Sequence, residues 1–332
     1  MKNITIKDIA KKVGVSPSTV SRVMRGMPNV HPHTKKKVLK TAKKLGYFLD
    51  GSARAIVKKQ TKTVGISVSD ISNPFYPPLI RGIENTINKF GYSIILCNTD
   101  EDPVKEERYL RVMLEKRVDG LIISPTNSQV SLLKSFKVRG IPIVCIDRRP
   151  EDIDADTVTV DNVHGAFIAV GHLIKLGHRR IGIITGSKEA TTTQERLKGY
   201  INALKQYKID INKSLIVEGN STIEGGIKAT EALLKLKSPP TAIFSSNNLM
   251  TIGAYITLKR LKKNIPKDVA VIGFDDLEWA EALDPPLTAI SQPTYTIGAT
   301  AGQLLMQRLL NEGPREKQNI VLKTSLVVRK SC

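Results

Sequence analysis

From Lys62 onward, short apolar runs alternate with longer amphipathic stretches, and this alternation limits the possible folds more than any other feature of the sequence. The runs TVGISV, SIILCNT, DGLIIS and IPIVCID are separated by segments such as LIRGIENTINKFGY and EERYLRVMLEKRV. This rhythm is typical of strand–helix units that build a parallel sheet covered on both faces. A second series begins near Asp161 and continues to Asp275, which predicts two doubly wound α/β lobes that face one cleft.

Positive charge is concentrated in the first 60 residues. They contain 15 Lys or Arg and 2 Asp or Glu, a net charge of +13, whereas the whole chain of 332 residues carries +20. Such a concentration is typical of a module that neutralises the phosphates of a nucleic acid. A solvated basic face that keeps the protein in solution is the alternative.

The pattern within this basic segment predicts three short helices. A first helix presents apolar residues on one face, at Ile6, Ile9, Ala10 and Val13. After a turn at Gly14, the second should begin with Ser16 as its N-cap and Pro17 in its first turn. Its buried residues would be Val20, Val23 and Met24, and its opposite face would carry Ser18, Arg22 and Arg25.

A third helix is expected from Thr34 to Tyr47. Its inward residues would be Val38, Ala42 and Leu45, and its outward residues Lys36, Lys37, Lys40, Lys43 and Lys44. Two helices joined by a short turn and braced by a third form a helix-turn-helix arrangement, whose second helix enters the major groove of DNA. The sequence therefore predicts an all-α DNA-binding headpiece.

The stretch TIKDIAKKVGVSPSTVSRVMRG resembles the DNA-binding signature of the LacI-type bacterial transcription regulators. The resemblance continues through VDGLIIS, VDNVHGAFIAVGHLIKLGHRRIGIITG, PTAIFSSNNLMTIGA, DVAVIGFDDLEWA and PPLTAISQP. It implies a periplasmic-binding-protein-like core, with crossovers between the lobes near 160, 290 and 320. The expected domains are a headpiece at 1–49, a hinge helix or linker at 50–61, and an effector-binding and dimerisation core at 62–332. Lobe 1 would comprise about 62–160 and 291–320, and lobe 2 about 161–290 and 321–332.

The same resemblance implies a homodimer that reads near-palindromic half-sites in double-stranded operator DNA. Ser18 and Arg22 would meet base edges, and lysines of the third helix would meet phosphates. Ile56 occupies the position where relatives wedge a leucine into the minor groove, supported by Arg54 at the backbone. The implied DNA-contacting residues are Thr5, Ser16, Pro17, Ser18, Thr19, Ser21, Arg22, Arg25, Asn29, His31, Arg54 and Ile56.

Planar polar groups and aromatic rings follow the predicted strands of both lobes. They are Asn73, Phe75, Tyr76, Asp147, Arg148, Arg196, Asn247, Asp275 and Gln292. Such groups form paired hydrogen bonds to ring hydroxyls and stack on a sugar face, although each residue alone also suits a turn, a helix cap or a surface ion pair. As a set they resemble the ligand-contacting residues of ribose-binding proteins and ribose-type regulators. The resemblance implies a small sugar effector, with ribose first and a phosphorylated sugar as its competitor.

One departure from that set lies in the second lobe. Where relatives often place a further aromatic ring, this chain has GNSTIEGG at 219–226. Trp279, four residues after Asp275, is a candidate to replace that ring, and simple packing beside the cleft is the alternative.

The sequence contains no motif for an enzyme, a cofactor or a metal. GxxxxGK[ST], GxGxxG, HExxH and GxSxG are absent, and His172 and His178 stand six residues apart, a spacing unsuited to a metal pair on one helix. We therefore expect neither an enzyme nor a cofactor. No membrane-spanning run or signal peptide is evident, and the three cysteines form no CxxC pair, which predicts a cytoplasmic protein with reduced thiols.

An alternative function arises within the same family. NVHPHTKKKVLKTAKKLGY and QPTYTIGATAGQLLMQRLLN resemble segments of catabolite control proteins, which bind a phosphorylated carrier protein through charged side chains. Here Thr296, Gln303 and Gln307 are neutral at positions where charge is expected, which disfavours that partner. Whether the effector induces or corepresses is left open by the sequence.

Overall fold

A computed structural model describes residues 4–47, 60–126, 130–149, 153–314 and 316–332. The chain divides into two compact units, Met1–Lys62 and Thr63–Cys332. Their architecture confirms the predicted fold class, a helical headpiece sequence followed by a two-lobed α/β core.

The first unit contains three helices, α1 (Ile6–Val13), α2 (Pro17–Met24) and α3 (Pro32–Lys44). Helix α2 begins as predicted, because the Ser16 hydroxyl accepts a hydrogen bond from the Thr19 backbone N–H at 3.1 Å. The buried residues of this small core are Ile9, Ala10, Val20, Val23, Val38 and Ala42. Met24 and Leu45, which were expected to be buried, are half-buried at its margin.

The third helix begins two residues earlier and ends three residues earlier than the sequence pattern predicts. His31 is its N-cap, with Nδ1 accepting from the His33 backbone N–H at 3.3 Å, and Pro32 occupies the first turn. The helix ends at Lys44, and Gly46 follows with φ +65°, a left-handed conformation that glycine adopts without strain. The five lysines assigned to its outer face are exposed.

The core contains two six-stranded sheets. Their strands are β1 (Thr63–Val68), β2 (Ser93–Asn98), β3 (Gly120–Ile123), β4 (Ile143–Ile146), β5 (Asp156–Val160), β6 (Ile181–Thr185), β7 (Ile216–Glu218), β8 (Ala242–Ser245), β9 (Ala270–Phe274), β10 (Thr288–Ser291), β11 (Asn319–Leu322) and β12 (Ser325–Val327). Lobe 1 has the order β11-β5-β4-β3-β1-β2, with parallel pairs, and lobe 2 has the order β12-β10-β9-β8-β6-β7, in which β12 is antiparallel to β10.

Helices cover both faces of each sheet, as the nearly continuous apolar strands require. The helices are α4 (Tyr76–Ile87), α5 (Pro103–Glu115), α6 (Val130–Val138), α7 (Asn162–Lys175), α8 (Thr191–Gln206), α9 (Ile223–Leu234), α10 (Asn248–Arg260) and α11 (Thr294–Leu310). Helix α11 packs closely on α4 in lobe 1: a Cβ atom added at Gly82 would lie 2.2 Å from the Tyr295 carbonyl oxygen.

The chain passes between the lobes three times. It crosses after β5, after β10 and between β11 and β12. Because neighbouring parallel strands share a direction, their carboxyl ends meet at one edge of each sheet, and the loops at those edges build the site described next.

Candidate functional site

A cavity of about 490 Å³ is lined by residues of both lobes. All nine residues that the sequence predicts for an effector site line it: Asn73, Phe75, Tyr76, Asp147, Arg148, Arg196, Asn247, Asp275 and Gln292. The remaining lining residues are polar or glycine: Ser69, Asp70, Ser72, Asp100, Glu101, Gly186, Thr192, Thr193, Asn220, Ser221, Thr222 and Ser246. The cavity is therefore suited to a small hydroxylated ligand rather than an apolar one.

Two aspartates occupy equivalent places at the ends of central strands. Asp147 follows β4 with φ +64°, and Asp275 follows β9 with φ +77°. These left-handed conformations are uncommon outside glycine, although Asp and Asn tolerate them best. Asp147 of lobe 1 and Asp275 of lobe 2 thus place their carboxylates in the cavity wall at points where the chain turns sharply.

Arg196 on α8 is held rigidly. Its Nε donates to Asn162 Oδ1 at 2.9 Å, and Nη1 donates to the Ser246 carbonyl at 2.6 Å. The guanidinium also stacks on Phe274, 3.8 Å from the ring centre. Nη2 forms no hydrogen bond to any residue that the structure describes, so it remains available to a ligand in the cavity.

Arg148 in lobe 1 is already paired. Its Nη1 and Nη2 donate to the two carboxylate oxygens of Glu101 at 2.7 and 2.5 Å, a bidentate ion pair. Burial by itself would raise the pKa of Glu101, but hydrogen bonding to Arg148 and the charge of that guanidinium hold the pKa below its usual value. Glu101 was not predicted from the sequence, and its pairing with Arg148 occupies a guanidinium that was expected to be available to the ligand.

Asp275 and Gln292 form a second pair in the cavity wall. Gln292 Nε2 donates to Asp275 Oδ1, and the Asn248 backbone N–H lies 3.4 Å from Asp275 Oδ2. Gln292 Oε1 is buried and has no hydrogen-bond partner among the described residues. A buried acceptor without a donor is costly in free energy.

Phe75 and Tyr76, at the start of α4, form an aromatic pair in the wall of the cavity. The Phe75 and Tyr76 rings meet edge to face, with centres 5.1 Å apart. The Tyr76 hydroxyl lies 2.6 Å from Ser69 Oγ and 3.2 Å from Ser124 Oγ, and burial raises its pKa far above the usual value. Tyr76 thus supports the wall of the cavity, while its hydroxyl is committed to the protein interior.

Trp279 does not complete the aromatic wall. The side chain is 38% exposed and does not line the cavity. It lies in a short 3-10 segment, Glu278–Ala282. Because the side chain does not line the cavity, the hypothesis that Trp279 replaces the missing ring of the second lobe is wrong. Asn220, Ser221 and Thr222 line the cavity from that part of the second lobe.

Negative charge exceeds positive charge around the cavity. The lining carboxylates are Asp70, Asp100, Glu101, Asp147 and Asp275, and the lining cations are Arg148 and Arg196. Burial raises the pKa of Asp147; the charges of Arg148 and Arg196 oppose this effect, and that of Asp275 adds to it. The lining carboxylates would therefore repel a ligand that carries two negative charges.

Contacts among the described residues connect the lobes beside the cavity. Asn248 Nδ2 of lobe 2 donates to Asn73 Oδ1 of lobe 1 at 2.7 Å. Arg149, which follows β4, donates from Nη2 to Glu195 Oε1 on α8 at 3.0 Å.

In the headpiece, the described residues predicted to contact DNA lie on exposed or half-buried positions. Ser16, Pro17, Ser18, Arg22 and Arg25 of the α2 segment are exposed. Thr19 and Ser21 are half-buried, and Thr5, Asn29 and His31 are exposed. Several of these residues also have local tasks: the Thr5 backbone N–H donates to Asp8 Oδ2 at 2.7 Å, and Ser16 Oγ lies 2.7 Å from Ser18 Oγ. Arg54 and Ile56 lie outside the described residues.

Within the described residues, no cluster of three or more His, Cys, Asp or Glu side chains is arranged to hold a metal ion. None of the described helices has the length and apolar character needed to cross a membrane.

Comparison with known families gives two matches. Residues 5–49 match the model of bacterial regulatory proteins, lacI family, and residues 170–332 match that of the periplasmic binding protein-like domain.

Three curated relatives match along nearly the whole chain. The HTH-type transcriptional repressor PurR of Photobacterium profundum is 36% identical over 328 residues, which cover 98% of each chain. Catabolite control protein A of Priestia megaterium is 39% identical, covering 93% of this chain and 94% of its own. The ribose operon repressor of Haemophilus influenzae is 35% identical, covering 98% of each.

Two solved structures are similar in fold. The Lac repressor dimer bound to operator and the anti-inducer ONPF has a TM-score of 0.85 at 25% identity and covers 99% of each chain. A LacI family transcriptional regulator from Enterococcus faecium with bound ribose has a TM-score of 0.74 at 31% identity, covering 81% of this chain and 98% of its own.

Proposed function

The chain belongs to the lacI family of bacterial regulatory proteins, and on that premise we propose that a small sugar, ribose or a close analogue, bound between its lobes controls its affinity for operator DNA. Its relatives are DNA-binding transcriptional repressors rather than enzymes, which confirms the prediction that the chain has no catalytic function. A regulator of chromosomal operators acts in the cytoplasm.

One observation carries the sugar proposal: planar charged and amide groups from both lobes converge on a single polar cavity. Arg196 offers Nη2 as a donor, and Gln292 lines the cavity beside Asp275. Asp147 and Asp275 accept from sugar hydroxyls, Asn73 and Asn247 supply amides, and Phe75 supplies an apolar face. Bonds to ionised groups contribute about 1.5–3 kcal/mol each, enough to offset the water that a hydroxyl loses.

The charges of the cavity favour a neutral sugar over a phosphorylated one. Arg148, the second cation that a phosphate needs, is bound at both terminal nitrogens by Glu101. Asp147 and Asp275 would repel a phosphate dianion. The ribose operon repressor among the relatives and the ribose-bound regulator among the similar structures support the choice of ribose.

Calorimetric titration of the full-length protein with D-ribose and with ribose 5-phosphate tests this proposal. We expect saturable binding of ribose and none of the phosphate ester. Operator binding with and without ribose then shows whether the sugar induces or corepresses. Binding of neither compound would refute the effector assignment, and preferential binding of the phosphate ester would refute the charge argument.

For DNA we propose a homodimer whose two α2 helices enter the major grooves of near-palindromic half-sites. Ser18 and Arg22 contact base edges, and Arg25 extends the same face of α2. The rest of the DNA-binding surface consists of Thr5, Ser16, Pro17, Thr19, Ser21, Asn29 and His31. In the 50–61 linker, Ile56 wedges a base step open and Arg54 contacts the DNA backbone. Unstacking the base step costs a few kcal/mol, which the contacts to bent DNA offset. Operator DNA that stays straight in a bending assay would contradict the wedge.

A second candidate is control by a phosphorylated carrier protein, which the 39% identity to a catabolite control protein favours. The exposed residues of α11 argue against it, because Thr296 and Gln303 are neutral there. A pull-down with the serine-phosphorylated carrier separates the two functions: specific capture would favour this second candidate.

A further inference from the structure

A chain of hydrogen bonds runs from the cavity to the opposite lobe. It begins at Arg196, whose Nε donates to Asn162 Oδ1 at 2.9 Å. Asn162 Nδ2 donates to Glu195 Oε2 at 2.8 Å, and Glu195 Oε1 accepts from Arg149 Nη2 at 3.0 Å. Arg196 lines the cavity, whereas Asn162, Glu195 and Arg149 do not. A ligand-binding group of lobe 2 is thus connected through two intermediates to a cation of lobe 1.

The orientation of the Asn162 amide in this hydrogen-bond chain is fixed by the chemistry of its two neighbours. A guanidinium only donates and a carboxylate only accepts, so the Asn162 amide must turn its oxygen to Arg196 and its nitrogen to Glu195. The reverse orientation would oppose two donors on one side and two acceptors on the other. Asn162 is 1% exposed, so water does not compensate for a broken link. Without Glu195, Asn162 Nδ2 would keep only the Val160 carbonyl, 3.5 Å away, among the described residues, so the amide that accepts from Arg196 would be less firmly oriented.

The hydrogen-bond chain also lies at the junction of the two lobes. Asn162 is the first residue of α7, immediately after the crossing that leaves β5. Arg149 follows β4 of lobe 1, and its backbone N–H lies 3.4 Å from Thr191 Oγ1 at the start of α8. The Asn73–Asn248 hydrogen bond joins the same lobes through other strand ends. Separation of the lobes would break the Arg149–Glu195 pair and this second contact together.

We infer that Glu195 and Asn162 position Arg196 for the effector, and that the Arg149–Glu195 pair makes this positioning depend on closure of the lobes. Arg149 is thereby a positioning residue that acts on ligand affinity without touching the ligand. The inference deepens the proposed sugar site and rests on it for the identity of the ligand. The coupling between lobe closure and the Arg196 chain is measurable without any ligand.

Hydrogen–deuterium exchange of the full-length protein without ligand provides that measurement. Arg149 and Glu195 side chains are 50% and 26% exposed, and loss of such a pair should speed amide exchange by up to about five-fold. For Arg149→Ala we expect faster exchange both at 191–196, beside the pair, and at 248–251, beside the other lobe contact. Arg149→Lys, which keeps the charge, should restore most of the protection.

The matched control is Arg111→Ala. Arg111 forms an exposed ion pair with Glu107 at 2.6 Å within α5, so its removal deletes a comparable interaction that does not join the lobes. We expect no change at 191–196 or 248–251 in this variant. Faster exchange confined to 191–196 in Arg149→Ala, or equal effects in both variants, would overturn the inference, because the pair would then be a local surface contact.

Titration with D-ribose completes the test. Arg149→Ala should weaken binding by up to about five-fold through faster release, Arg149→Lys should restore it, and Arg111→Ala should match the unmodified protein. If the unmodified protein does not bind ribose but exchange changes as expected, the effector assignment fails and the coupling stands. If ribose binds all four proteins equally, the coupling is refuted while the sugar site stands.

Discussion

Replacing Asp275 with Asn should remove most of the ribose affinity while leaving the fold intact. The substitution keeps the size of the side chain and removes its charge. Because Asp275 has φ +77°, Asn is the suitable replacement: it tolerates this conformation, whereas Ala would add backbone strain of about 1–2 kcal/mol. The new amide oxygen can still accept from Gln292 Nε2, so the wall of the cavity keeps its hydrogen bond.

The expected magnitude follows from the bond that is lost. A hydrogen bond to a charged group contributes about 1.5–3 kcal/mol, which corresponds to roughly 10- to 150-fold in Kd. Calorimetry with D-ribose measures this loss, and thermal unfolding with and without ribose measures the accompanying loss of ligand-induced stabilisation. Without ligand, the unfolding temperature should not fall, because the charge of Asp275 raises the pKa of the neighbouring Asp147 and its removal relieves that repulsion.

The adjacent residue provides the control. Asp276 accepts from Arg329 at 2.7 and 3.1 Å and does not line the cavity. Asp276→Asn should therefore lower the unfolding temperature and leave the Kd for ribose unchanged. If Asp275→Asn binds ribose within two-fold of the unmodified protein, or if both variants lose affinity equally, the reasoning about the cavity is refuted.

Three further predictions concern single charges. Asp147→Asn should abolish ribose binding but raise the unfolding temperature at pH 7. Burial raises the pKa of Asp147, so the stability that its protonated form supplies at low pH is lost as the pH rises through the folded pKa. The difference in unfolding temperature between the variant and the unmodified protein should therefore vanish toward pH 3. Glu101→Gln should free Arg148 and create measurable calorimetric binding of ribose 5-phosphate; no gain would contradict the proposed role of the ion pair. Arg22→Ala should cost about 1–3 kcal/mol of operator binding, and an unchanged ratio of operator to random-DNA affinity in gel-shift assays would exclude a base contact.

The nine effector-site residues could be predicted because each lies in a loop or helix that follows an apolar strand. The carboxyl ends of parallel strands converge whatever the details of packing, so Asp147, Asn247 and Asp275 were brought together by topology alone. Phe75 is the N-cap of α4, which follows β1, and Arg196 lies in the second turn of α8, which follows β6. The same logic predicted the buried face of α2, since a 3.6-residue period defines which side chains point inward.

The partners behind these residues could not be predicted in the same way. Glu101 lies in TDEDP, which has the composition of an exposed turn, and nothing nearby in sequence indicates that it meets Arg148. Asn162 follows a strand, a position that could have been noticed, but its contact with Arg196 spans 34 residues. The start of α3 was misplaced although Pro32 suits a first turn, because His31 is a less usual N-cap than Ser or Thr.

The three crossings between the lobes also determine when this chain can finish folding. Strand β11 adds to the edge of the first sheet beside β5, and β12 adds to the edge of the second beside β10. The C-terminal segment also binds β10 through Ser331, whose hydroxyl accepts a hydrogen bond from the Thr288 backbone N–H at 2.8 Å. Since synthesis proceeds from the N-terminus, neither sheet can be completed until residues 319–327 have been made, whereas the three headpiece helices need nothing beyond Tyr47 for their own small core. On the ribosome, the basic headpiece can therefore fold while each sheet still lacks its last strand in sequence.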